Sequence, residues 1–101
     1  MRHYLLAAAI AGCGAHGAWA GRTVERACEA SAQSAASPAL CGCIQAVADQ
    51  TLATPDQRVA ASLFADPDKA QLLRTSDSVA GTAFWHRYST FAAAAEASCG
   101  G

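Results

Sequence analysis

Ser37-Pro38-Ala39-Leu40-Cys41-Gly42-Cys43-Ile44-Gln45-Ala46-Val47 joins a helix start, two cysteines one residue apart and a strongly apolar run. Serine followed by proline is an N-cap followed by the one helical position where a missing N–H costs nothing. Leu40, Ile44, Val47, Ala48 and Leu52 then recur at steps of three and four, so the spacing predicts a helix to about Leu52 with one apolar face. At about 100° per residue, Cys41 and Cys43 fall on opposite flanks of that face. They are expected to point toward two different neighbours.

Two further cysteines, Cys28 and Cys99, stand as the partners of this pair. Four thiols allow three connectivities. The one containing Cys41–Cys43 would close a small strained ring that a regular helix does not accommodate. Of the remaining two, a hairpin turning near residue 36 favours Cys28–Cys43, because Cys43 matches the height of Cys28 better than Cys41 does. Cys41, at the helix start, is then left for Cys99.

Thr23 reads as the cap of a first helix reaching about Ser34. Its inner stripe is Val24, Ala27, Cys28, Ala32 and Ala35, with Glu25 and Glu29 toward the start, where the helix dipole favours negative charge. Val24 is its one large apolar residue, so Cys28 is expected to anchor it. Thr54-Pro55-Asp56-Gln57 has the form of a capping box and opens a third helix carrying Val59, Leu63 and Phe64. Asp66-Pro67 starts a fourth, with Leu72 and Leu73 as its buried pair. Asp77 or Ser78 begins the longest helix, which reaches about Ser98. Phe84, Trp85, Tyr88, Phe91, Ala92, Ala95 and Cys99 mark its stripe, and Ala92–Ala95 is a strong helix former that lets a neighbour come close. No segment alternates with the period of a strand. The expected fold is all-α: a small compact bundle of four to five short helices, stapled by two disulfides.

The first twenty residues read differently. Met1-Arg2-His3-Tyr4 is a short basic leader, Leu5 to Ala11 is apolar, and Ala18-Trp19-Ala20 is an A-x-A site before Gly21. That order is the signature of a secretory signal peptide over residues 1–20, with a helical domain over 21–101. The apolar run is well below the ~20 residues that span a bilayer. Ile10-Ala11-Gly12-Cys13 offers an alternative, a lipoprotein signal over 1–12 with a lipidated Cys13, which would tether the domain to the outer membrane. Either way the chain is expected to be exported and periplasmic, and an even number of remaining cysteines in a small exported chain suits a disulfide framework. After cleavage at Ala20, six basic and eight acidic side chains remain. That balance gives nucleic-acid binding no electrostatic footing.

Little in the chain reads as chemistry. The mature part carries 20 alanines and about fifteen large apolar side chains, and domains of this size rarely gain more than ~3–5 kcal/mol from a core alone. The cysteines therefore read first as staples. A competing reading makes Cys41-Gly42-Cys43 a redox dithiol or a Cu(I)-handling pair, but no second thiol pair and no histidine at ligand spacing accompanies it. His86 has no carboxylate at a helical step to orient it, and no serine sits in a nucleophile elbow. No catalytic residue, metal site or cofactor is expected. Trp85, Arg87 and Tyr88 form the best candidate for a partner surface, a composition enriched at interaction hot spots.

With C28…L-C-G-C-I-Q-A-V-A-D-Q (40–50), D-Q-R-V-A-A…F-A-D-P-D-K-A-Q (56–71) and A-F-W-H-R-Y…F (83–91), the chain resembles a group of small exported proteins from alphaproteobacteria related to Rhodobacter. These share a C…C-x-C…C pattern, and some carry the label of arginine transporter. The resemblance implies export and, through that label, an accessory role in amino-acid transport. A chain without a spanning helix forms no translocation path of its own, and no acidic cluster here is placed to clamp a guanidinium. The expected function is a binding or accessory module with a protein partner in the cell envelope, touching the membrane only through a lipid anchor.

Overall fold

A computed structural model describes residues 21–31 and 37–100. The leader, its Ala20 cleavage site and the alternative lipid-bearing Cys13 lie outside them. Among the described residues there are five helices and no strand: α1 (Thr23–Ala30), α2 (Pro38–Thr51), α3 (Thr54–Ala65), α4 (Pro67–Arg74) and α5 (Val79–Cys99). The all-α bundle with two disulfides is the architecture expected of the sequence.

Local chemistry sets most of the boundaries. Ser37 Oγ accepts the Leu40 N–H at 3.1 Å with Pro38 at the first turn, which starts α2. Ser78 Oγ accepts the Gly81 N–H at 2.9 Å and starts α5 in the same way. Asp66 takes an extended ψ before Pro67, whose ring disfavours a helical residue ahead of it, so α3 stops and α4 begins there. Gly100, at φ +79°, closes α5 in the left-handed conformation that glycine adopts freely.

Three expectations need correcting. The first helix ends at Ala30, with Ser31 extended at ψ 159°, not near Ser34. Neither Thr23 nor Thr54 is a cap: each is the first helical residue, behind Arg22 and Ala53, and neither helix start has a side-chain cap of its own. Leu72 is 72% exposed and Leu73 half-buried. The short α4 packs mainly against α3 and α5, and adjacent residues on a helix lie about 100° apart, so Leu73 turns partly inward while Leu72 faces out.

Short α1 lies against both α2 and α3, and α2 runs along α5. The core gathers Val24 of α1, Val47, Ala48 and Leu52 around the end of α2, Ala60 of α3 and Phe91 of α5, with Ile44, Phe64, Tyr88, Ala94, Ala95 and Cys99 packed around them. Small residues at Ala48 and Ala60 let the helices come close, and the few large side chains fill what remains.

Two glycines inside helices behave in opposite ways. A methyl group placed at Gly81 would sit 2.5 Å from Ser76 Oγ and 2.9 Å from Ser76 Cβ, inside the serine cluster that starts α5. At Gly42 it would meet only Glu25 Oε2, at 4.0 Å. Gly42→Ala is therefore expected to raise stability by about 0.5–1 kcal/mol through the lost backbone entropy of glycine. Gly81→Ala is expected to lower it by about 1–3 kcal/mol through overpacking. Paired urea titrations with unchanged slopes check both signs.

Candidate functional site

The cysteine junction organises the molecule. Cys28 of α1 bonds Cys41 of α2 with Cα atoms 5.6 Å apart, and Cys43 bonds Cys99 at the end of α5 with Cα atoms 5.8 Å apart. Cys41 and Cys43 do diverge from one helix toward two neighbours, as their placement on the wheel predicts. The preferred pairing Cys28–Cys43 with Cys41–Cys99 is overturned, and the other open connectivity is the one formed. The reason lies in where α1 stops. With α1 ending at Ala30 and α2 starting at Pro38, the midpoint between the two helix ends in sequence is position 34, not 36. The position level with Cys28 is then Cys41, which leaves Cys43 free to meet the last turn of α5.

A second set of contacts keeps the same register and was not visible as a site in the sequence. Gln45 and Gln57 are 3% and 4% exposed. Gln45 Oε1 accepts the backbone N–H groups of Val24 at 2.7 Å and Glu25 at 2.8 Å. It is thus the N-terminal cap that α1 lacks in its own sequence, supplied from a different helix. The Gln45 amide nitrogen donates to Gln57 Oε1 and to Asp49 Oδ1, both at 2.9 Å. Gln57 Nε2 in turn donates to the carbonyls of Ala48 at 3.2 Å and Leu52 at 3.1 Å, near the end of α2. Among the described residues no buried side-chain polar atom lacks a partner. A weak signal existed: Cys41, Gln45 and Asp49 share one flank of α2 at steps of four. Gln57 was hidden by its place in an apparent capping box.

The aromatic face of α5 comes together in part. Tyr88 is central, with its ring 5.8 Å from Phe84, 5.3 Å from Trp85 and 5.7 Å from Phe91. Phe84 and Phe91 are buried, Trp85 and Tyr88 half-buried, and His86 is exposed. Arg87, which the sequence grouped with Trp85 and Tyr88 as a candidate partner surface, makes a two-point contact with Asp56 in the first turn of α3, through Nε to Oδ2 and Nη2 to Oδ1, the latter at 3.0 Å. The hydrogen bond from Asp56 raises the Arg87 pKa, against a smaller opposing effect of burial. The structure therefore brings Trp85 and Tyr88 together, while Arg87 turns to Asp56.

Burial raises the Tyr88 phenol above its ordinary value. The folded chain then holds that proton more tightly than the unfolded chain. The stability tied to it is complete below the ordinary phenol range near ~10 and disappears as pH rises through the folded value. Tyr88→Phe is expected to flatten the alkaline limb of a stability–pH curve, and an unchanged limb would remove Tyr88 as its source.

Among the described residues no pocket is found, no group of histidines, cysteines and carboxylates is placed to hold a metal ion, and no helix is long and apolar enough to cross a membrane. Comparisons with protein-family models, with curated proteins and with solved structures give no match.

Proposed function

We propose that this chain is a small exported module of the cell envelope, periplasmic or tethered through Cys13, that works by binding a protein partner. Export is supported by the charge, apolar run and A-x-A site of residues 1–20, and by the likeness of its motifs to small exported alphaproteobacterial proteins. Two disulfides in so small a domain suit an oxidising compartment. The observation that carries the binding reading is a half-buried Trp85 packed on Tyr88, on the same helix as an exposed Arg87 held in place by Asp56. Tryptophan and arginine are the residues most enriched at interface hot spots, and an arginine whose rotamer is already fixed loses less freedom on binding.

A photo-crosslinking residue in place of Trp85, in cells that make the protein, tests this. A discrete adduct from position 85 is expected, absent when the same residue replaces the exposed Lys69 of α4, and reduced when Asp56→Asn releases Arg87. No adduct at 85, or the same adducts from 69, would overturn it. Thiol or metal chemistry at Cys41 and Cys43 predicts titratable thiols in the mature oxidised protein, whereas the binding reading expects none. Calorimetry with millimolar arginine separates the transport-accessory reading, for which measurable heat is required.

A further inference from the structure

The two disulfides differ in their surroundings. Cys28 and Cys41 are 3% and 0% exposed, and their bond lies between α1 and α2. The same two helices are also joined by the bonds from Gln45 to the Val24 and Glu25 amides. Cys43 and Cys99 are both half-buried. Cys99 sits on the last turn of α5, where Glu96, Ala97, Ser98 and Gly100 are all exposed and the large buried anchors of that helix, Phe84 and Phe91, lie two or more turns back. No hydrogen bond or ion pair from that turn to another helix accompanies the disulfide among the described residues.

We infer that Cys43–Cys99 is a latch open to exchange with an external dithiol while the chain is folded, and that Cys28–Cys41 is kept closed by the fold. Exchange requires a thiolate to reach one sulfur of the bond, so access sets which bond reacts. The entering thiolate attacks Cys99 Sγ, forming a mixed disulfide and expelling Cys43 as a thiolate that takes a proton from water. The second thiol of the reductant then attacks its own sulfur in the mixed bond and releases Cys99. The reductant leaves as a disulfide, oxidised by two electrons, and the protein holds two thiols, reduced by two. At Cys41 the same attack first requires α1 to separate from α2, an opening drawn from the more stable end of local fluctuations. The partner implied is a dithiol oxidoreductase acting at the α2–α5 end of the bundle, a role distinct from the surface around Trp85.

The test is brief exposure of the oxidised protein to dithiothreitol in native buffer, followed by acid quenching, alkylation and localisation of the labels by mass spectrometry. Among molecules that have lost one disulfide, labels on Cys43 and Cys99 are expected to exceed labels on Cys28 and Cys41 at least tenfold. The excess is expected to shrink to within about twofold in concentrated urea, where the fold no longer shields either bond. Equal labelling in native buffer, preferential labelling of Cys28 and Cys41, or an excess that persists unchanged in urea would each overturn the inference.

Discussion

Gln45→Leu is expected to lower the stability of the folded chain by about 3 kcal/mol or more, measured as a shift in the urea midpoint at constant slope. Leucine fills nearly the same space but accepts nothing, so the amides of Val24 and Glu25 lose their partner, and the Val24 amide is buried. Each buried donor left unpaired costs about 1–3 kcal/mol, and the amide donors to Gln57 and Asp49 disappear as well. Gln57→Leu is the control. The Ala48 carbonyl keeps its bond from the Leu52 amide and Gln45 keeps Asp49, so a smaller loss of about 1–2 kcal/mol is expected. The double variant should cost less than the two single losses combined, because they share the Gln45–Gln57 bond. Equal, additive costs would mean that the two glutamines act independently and not as one linked cap.

Removal of the disulfides is the second large effect. Cys28→Ala with Cys41→Ala is expected to cost about 3 kcal/mol, and Cys43→Ala with Cys99→Ala about 4 kcal/mol, since the chain-entropy cost grows slowly with the length of loop closed. Those loops separate the bonded cysteines by 13 and 56 residues. Each is comparable with the ~3–5 kcal/mol that is the most a core of this size usually supplies, so either loss removes a large share of the total stability. Loss of both should leave a helix-poor chain by circular dichroism. Short helices such as α1 and α4, at eight residues each, have no independent stability to fall back on. A fully reduced protein that kept its helicity and cooperative melting would show that the core alone suffices.

Much of the fold was legible because its punctuation is local. Ser37-Pro38, Asp66-Pro67 and Ser78 each act within three residues, and the sequence marks them where the helices begin. The α2 and α5 stripes were also legible, since a buried face on a long helix repeats several times. What escaped depended on contacts between distant residues. The helix propensity of an alanine- and serine-rich segment does not say that α1 stops at Ala30, and that stop decides which cysteine of the C-x-C pair lies level with Cys28. Gln45 looks like any polar residue on a helix until the bare N-terminus of α1 is placed beside it. Gln57 suited a capping box that α3 does not form, because it turns inward to the end of α2. Leu72 was misjudged because a two-turn helix offers too little contact to bury two adjacent leucines.

The candidate surface shows the same division. The aromatic residues of α5 could be grouped from spacing alone, but the commitment of Arg87 to Asp56 joins positions 31 residues apart. That ion pair changes the meaning of the patch. A solvated arginine becomes a positioned one, and only the packed structure brings the two groups together.

The cysteines act as staples, with Cys41 and Cys43 tied to separate helices. Enzymatic mapping cannot separate them, because only Gly42 lies between the two. The direct measurement is partial reduction with a phosphine at acidic pH, where exchange between bonds is suppressed, then alkylation and sequencing of the one-disulfide species. Labels are expected in the pairs Cys43 with Cys99 or Cys28 with Cys41, whichever bond opened, and no thiol should be free beforehand. Labels on Cys28 with Cys43, on Cys41 with Cys99, or a free thiol pair at Cys41 and Cys43 in the untreated protein would contradict it.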